Sequence, residues 1–94
     1  MKVGEMNHQV TLKEVQDLMR KHYLQRDQAR GLYATFTWFI EEVGELAEAI
    51  LSQNTKAQEE EIADTLAWLA SIANLLSIDL QKAFEQKYLN PQPP

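Results

Sequence analysis

A chain of 94 residues holds one domain, and at this size a lone subunit buries only about 60% of the surface its unfolded form exposes, so self-association is expected. Its formal charge of −5 argues against a nucleic-acid polymer as partner, whose phosphates call for clustered Lys and Arg, but leaves room for a nucleotide bridged to carboxylates by a divalent cation. With no cysteine there is no disulfide, thiolate ligand or thiol nucleophile, and with no uninterrupted apolar run of ~18 residues a membrane span is not expected; the chain is expected in the cytoplasm.

Met1 to Val10 carries Lys2, Glu5, Asn7 and His8, lacks the apolar stretch of a signal peptide, and reads as a mobile N-terminus. Glu5-Met6-Asn7-His8 has the Glu-x-x-His spacing of di-iron bundles, but that architecture takes two such motifs and only one occurs. Thr11-Leu12-Lys13-Glu14 fits a capping box and opens a first helix running to about Tyr23, with Leu12, Val15 and Leu18 or Met19 on one face. His22, near its end, is expected to complement the helix dipole. Gln25 to Gly31 reads as a polar loop whose Arg26, Gln28 and Arg30 either solubilise the surface or close over a ligand. A second helix spans Leu32 to Leu51, Ser52-Gln53-Asn54 makes a short turn, and a third helix runs from Thr55 to Leu76. Ser77-Ile78-Asp79 is a turn ending in an N-cap, Leu80 to Tyr88 a fourth helix, and Pro91 to Pro94 a frayed tail. The pattern predicts an all-α fold, a small antiparallel bundle of about four helices in a single domain over 1–94, two long helices being covered by two shorter ones.

At about 100° per residue, Phe36, Phe39, Ile40, Val43, Leu46, Ala47 and Ile50 of the second helix share an apolar arc, while Glu41, Glu42 and Glu45 lie together on another side. On the third helix Glu61 falls inside the apolar arc, flanked by Thr65, Trp68 and Ile72, with Asp64 on the same edge. Ionised carboxylates there cost several kcal/mol unless paired or bound to metal. A short turn makes the two helices antiparallel neighbours. With Gln53 as the centre, Glu45 faces Glu61, Glu42 faces Asp64, and Trp38 faces Trp68. Neither helix carries Lys or Arg from Leu32 to Leu51 or from Ala57 to Leu80, so a bound divalent ion is the natural resolution. Oxygen ligands select hard cations, Mg²⁺ or Mn²⁺ before zinc. Taken singly, each acidic pair is most simply a solvated helix face; it is the two together, in register, that carry weight.

The run Glu41-Glu42-Val43-Gly44-Glu45, followed after a fifteen-residue spacer by Glu61-Ile62-Ala63-Asp64 and then by Ser77-Ile78-Asp79-Leu80, resembles the paired signature of the MazG and all-alpha nucleotide pyrophosphatase group. The similarity extends from about Leu32 to Tyr88. The resemblance implies Mg²⁺-dependent hydrolysis of a nucleoside triphosphate, deoxy forms included, to a monophosphate and pyrophosphate, an activity suited to clearing non-canonical nucleotides. It also implies Glu42, Glu45, Glu61 and Asp64 as metal ligands, and Glu41 and Glu42 as the catalytic pair, with Glu41 orienting a ligand or the attacking water. Trp68 and Trp38 would lie near the base or in a core or subunit interface, and Arg30 and Lys87 near the phosphates. Lys87 matches a family lysine, but the arginine-bearing tail that often follows is replaced here by Leu89-Asn90-Pro91-Gln92-Pro93-Pro94, so a neighbouring subunit of a homodimer or homotetramer is expected to contribute charge. The competing reading is a non-catalytic helical module that binds a divalent ion or a partner helix through the same seam. A narrower alternative keeps the site but restricts the substrate to a diphosphate or to dUTP.

Overall fold

A computed structural model describes residues 9–89. It has three long helices and a short C-terminal one: α1 (Leu12–Arg30), α2 (Leu32–Ser52), α3 (Thr55–Leu75) and α4 (Leu80–Phe84), the last continuing into a wider π-helical turn, Glu85–Leu89. Among the described residues there is no strand. The Glu-x-x-His motif at Glu5 and His8, and the Pro91–Pro94 tail, lie outside them.

α1 starts at the expected capping box. The Thr11 hydroxyl accepts from the Glu14 amide at 3.1 Å, and Glu14 Oε1 accepts from the Thr11 amide at 2.9 Å. Its other end differs from expectation: the helix runs on through Gln25–Arg30, so the predicted polar loop does not exist. Gln, Arg and Ala are good helix formers, and the stretch lacks a breaker until Gly31. Gly31 has φ 94°, a left-handed conformation that suits glycine, and is the single residue separating α1 from α2. His22 consequently sits mid-helix beside Tyr23, and it is Arg30 that takes the last-turn position expected of His22.

The α2–α3 turn closes as the sequence predicts. Gln53 is left-handed at φ 59°, the Asn54 side chain accepts from the Ala57 amide at 3.1 Å, and Gln58 Nε2 donates across the turn to the Ala49 carbonyl at 3.2 Å. α3 is the central element, with α2 packed on one side and α1 on the other. At its end Ser77, at φ 56°, closes a Schellman-type arrangement in which the Ile78 amide donates to the Ala73 carbonyl at 2.9 Å and the Ser77 amide to Asn74 at 3.2 Å. The chain then turns by 102° into the C-terminal helical segment, capped by Asp79. No single helix among the described residues is long and apolar enough to cross a membrane.

The enclosed core is small and sits on the C-terminal half of α3, where Ala70, Ile72 and Ala73 are buried; Ala49 of α2 is buried near the hairpin turn. A polar lock fixes α1 and α4 to α3. Buried Gln16 donates to the Ile78 carbonyl at 2.6 Å and accepts from the Leu80 amide at 2.9 Å, while Asn74 donates to the Gln16 carbonyl at 3.1 Å and accepts from Arg20 at 2.9 Å. Asn74 is thus structural. On α1, Met19 and not Leu18 takes the covered place. α2 buries only the side turned to α3. Tyr33, Phe36, Ile40, Val43, Ala47 and Ile50 stay exposed on its outer side, with Tyr33 at 86%.

Candidate metal centre

α2 and α3 bring Glu42, Glu45 and Glu61 together, one carboxylate oxygen of each lying within 4.8 Å of the others. Helical periodicity explains the meeting: Glu42 and Glu45 are three residues apart on one face of α2, and Glu61 lies across the hairpin at the height of Glu45. Glu42 and Glu61 are half-buried, whereas Glu45 is exposed on the open side. Asp64, one turn along α3 from Glu61, is exposed and stands outside this closest trio, although its charge reaches Glu42.

The electrostatics of the trio are unfavourable without a cation. Burial, followed by a hydrogen bond to Glu61 that only the protonated acid can donate and by the charges of Glu45, Glu61 and Asp64, raises the Glu42 pKa to about 7. When both acids are ionised, Glu42 Oε2 and Glu61 Oε2 are shut off from solvent with no donor to meet them. Such atoms cost free energy unless something electropositive reaches them. The nearest lysine along α3, Lys56, is committed to Glu60 at 4.0 Å near the turn. An all-oxygen donor set with two orphaned buried oxygens fits a hard divalent cation. The Thr35 hydroxyl, fully buried on the same side of α2, also lacks a hydrogen bond.

Two concavities flank the acids. A groove of about 370 Å³ runs along Glu45, Glu48 and Glu61 towards the turn. A pocket of about 170 Å³ opens between α1 and α3 beside Asp64, with Tyr23, Arg26, Asp27 and Trp68 in its walls. A third hollow, about 380 Å³ near the α3–α4 corner, is remote from the acids, and its cations are already paired: Lys13 with Asp17 at 3.2 Å, and Arg20 with Asp17 at 2.8 Å.

Trp38 and Trp68 pair as the register predicts, their rings 6.4 Å apart and 18° from parallel. The Arg30 guanidinium lies 5.0 Å from the Trp68 ring centre and 3.3 Å from Asp27 Oδ1. Arg30 is therefore beside Trp68, but from a helix end and not from a closing loop. A base stacking on Trp68 meets a ring already in contact with an indole and a cation. Glu41 is exposed on the flank of α2 and outside the trio. Lys87 is not brought to the acids: it lies on the C-terminal turn, its ammonium 5.6 Å from the neighbouring Tyr88 ring.

Sequence reasoning missed Asp27, which is 2% exposed yet lines the small pocket. The only signal was its i,i+3 spacing from Arg30, which any surface ion pair shares.

Residues 30–88 match the family model of the MazG nucleotide pyrophosphohydrolase domain. No curated protein matches the chain. The matched span contains the whole acidic hairpin, both tryptophans and the α4 turn, and covers well over half of the sequence. The chain belongs to the MazG nucleotide pyrophosphohydrolase family.

Proposed function

We propose that this protein hydrolyses a nucleoside triphosphate, ribo or deoxy, between the α and β phosphates, giving a nucleoside monophosphate and pyrophosphate with Mg²⁺ as cofactor and Mn²⁺ able to replace it. The observation that carries this reading is the pair of buried, donorless oxygens on Glu42 and Glu61 within a carboxylate trio open to a groove on one side. Glu42, Glu45 and Glu61 would hold the ion, with Asp64 reaching it from the next turn of α3 or through the phosphates. When bound, the ion offsets phosphate charge and increases the acidity of an attacking water. Water attacks the α phosphorus, the bond to the bridging oxygen breaks, and pyrophosphate leaves. Glu41, one turn before Glu45 on the exposed flank, would orient that water or a ligand. Clearing of non-canonical nucleotides is the role such an activity would serve.

A second copy of the chain is part of this reading. On α2 the exposed residues Tyr33, Phe36, Ile40, Val43, Ala47 and Ile50 recur at alternating spacings of three and four, the seam of a helix that packs against another helix. Taking ~150–200 Å² for each large side chain, their exposures together with Leu51 leave roughly 600–700 Å² of apolar surface. That exceeds the patch of about 300–600 Å² usual for a monomer, and doubling it reaches the low end of a stable interface, about 1,200–2,000 Å². A homodimer, or a tetramer built from it, buries this seam and sets a partner beside the acids, where cations missing from this chain's hairpin could be supplied.

The test is incubation of the purified protein with the canonical and modified nucleoside triphosphates and Mg²⁺, measuring pyrophosphate and orthophosphate separately. Pyrophosphate release that disappears in Asp64→Asn and Glu61→Gln, with helicity unchanged by circular dichroism, supports the assignment. Orthophosphate alone would move the cleavage to another bond, and ion binding without turnover would leave a non-catalytic metal module.

A further inference from the structure

The pocket between α1 and α3 contains a buried carboxylate that neither the metal trio nor the hydrolytic step uses. Asp27 is 2% exposed, yet it faces this space of about 170 Å³. Its one side-chain hydrogen bond among the described residues is long, 3.3 Å from Arg30 Nη1 to Oδ1, and Oδ2 accepts none. Burying a carboxylate costs several kcal/mol unless its oxygens are satisfied, and an ion pair with Arg30 could form as well on the exposed side of α1. Burial with an unfilled oxygen at the wall of a pocket is what a ligand-reading group requires.

The hydrogen-bonding character of the wall identifies the ligand's edge. An ionised carboxylate offers only acceptors and a guanidinium only donors. Asp27 and its neighbour Arg26, whose guanidinium lies 4.4 Å over the Tyr23 ring, both line this pocket, so its wall holds a carboxylate acceptor and a guanidinium donor. Among the nucleobases, guanine carries the complement on one edge: the N1–H and the 2-amino group beside the O6 carbonyl. Cytosine and adenine turn a ring-nitrogen lone pair toward the carboxylate alongside a single amino donor, and uracil and thymine have one N–H between two carbonyls. Tyr23 and Trp68 supply ring surfaces for a flat ligand, and Asp64 at the rim joins the pocket to the acidic cluster.

We propose that this pocket holds the base of a guanine nucleotide, with Asp27 accepting from N1–H and the 2-amino group and Arg26 donating to O6. The proposal rests on the nucleotide reading above and narrows its substrate class. Asp27 is then a specificity residue, distinct in role from the metal-holding acids.

Two measurements separate this proposal from the hydrolase reading. The first is pyrophosphate release with Mg²⁺ from GTP, ITP, CTP, ATP and UTP, and from their deoxy forms. Inosine differs from guanosine only by the missing 2-amino group, so the wild-type protein itself is tested without any risk of misfolding. A kcat/KM for GTP about 10- to 100-fold above that for ITP is expected from loss of half of a bidentate contact, and Asp27→Asn should bring that ratio to about one. The second measurement is calorimetric binding of GMP, IMP and CMP with EDTA present, which depends on the base pocket and not on turnover. Tighter binding of GMP than of IMP and CMP, lost in Asp27→Asn, supports the pocket even if no nucleotide is hydrolysed, in which case only the hydrolase reading falls. Hydrolysis of all five bases at equal kcat/KM, no preference for GMP in binding, or an Asp27→Asn variant that keeps the guanine-to-inosine ratio would overturn the proposal and leave the hydrolase reading standing.

Discussion

Exchange of Glu42 for glutamine keeps the side chain's shape, removes one charge from the centre of the trio, and gives Glu61 an N–H where it had none. The sign of the effect follows from proton linkage. Glu42 titrates at about 7 in the folded protein against 4.5 for an ordinary glutamate, so between these values the folded state binds more protons than the unfolded one. Stability from this group is fully present below pH 4.5 and is lost as pH rises through about 7. The full displacement corresponds to about 3 kcal/mol, and the open side of the cluster brings the expected loss down to about 1–2 kcal/mol. At pH 8 in EDTA, Glu42→Gln should therefore melt about 4–15 °C above the wild type, and at pH 5 the two should nearly coincide. Mg²⁺ should reverse the ranking, raising the wild-type midpoint, more at pH 8 than at pH 5, while scarcely moving that of the variant. Pyrophosphate release should be lost together with the metal response. Calorimetric melts over pH 5–8 with EDTA or Mg²⁺ provide the assay. A variant less stable than wild type in EDTA at pH 8, or one that keeps the Mg²⁺ response, would refute the view that ionised acids are held together against their own repulsion.

Ile40→Asp puts a charge in the middle of the exposed α2 seam and should convert the protein to monomers in sedimentation velocity, with activity falling in parallel; a wild-type chain that sediments as an active monomer would contradict the assembly. At Gly44 an added Cβ meets nothing within 4 Å in the single chain, so Gly44→Ala should strengthen the isolated helix by about 1 kcal/mol yet weaken association if a neighbouring backbone passes close by. The dissociation constant of the dimer reads this directly, and an unchanged or tighter value would remove Gly44 from the interface. Trp68→Ala removes the ring shared by Trp38, Arg30 and the base pocket, and should raise KM for nucleotide by about tenfold while leaving the Mg²⁺-dependent melting shift in place; an unchanged KM would detach the ring from substrate binding.

The hairpin was legible in the sequence because its signals are local and mutually consistent. Asn54 marks the helix start, and counting outward from Gln53 places Trp38 opposite Trp68, as observed. The same counting brought Glu45 and Glu61 together, but a straight register does not resolve which oxygens converge, and the closest trio omits Asp64. The sequence understates the length of α1 because the polar run Gln25–Arg30 carries no apolar periodicity, and helix propensity alone is a weak signal. Asp27, Gln16 and Thr35 look like surface letters in the sequence. Their burial depends on how α1, α2 and α3 pack, a tertiary fact that periodicity within one helix does not encode. Lys87 is linked to the phosphates only by its family position; it lies on the π-helical turn beyond the 102° bend that follows α3, a placement that periodicity within the hairpin does not encode.

The two-residue connection at Gln53 and Asn54 also governs which length changes this chain can absorb. Lengthening that connection leaves both helices free to dock by the same faces. An added residue inside α2 or α3, between the turn and the acids, swings the acids of that helix by about 100° and slides them about 1.5 Å along its axis. Glu42 or Glu61 would then face water, and Trp38 and Trp68 would lose their pairing. An added residue in such a hairpin is thus absorbed only at its tip, and the interval from Glu45 to Glu61 acts as a ruler with one adjustable mark.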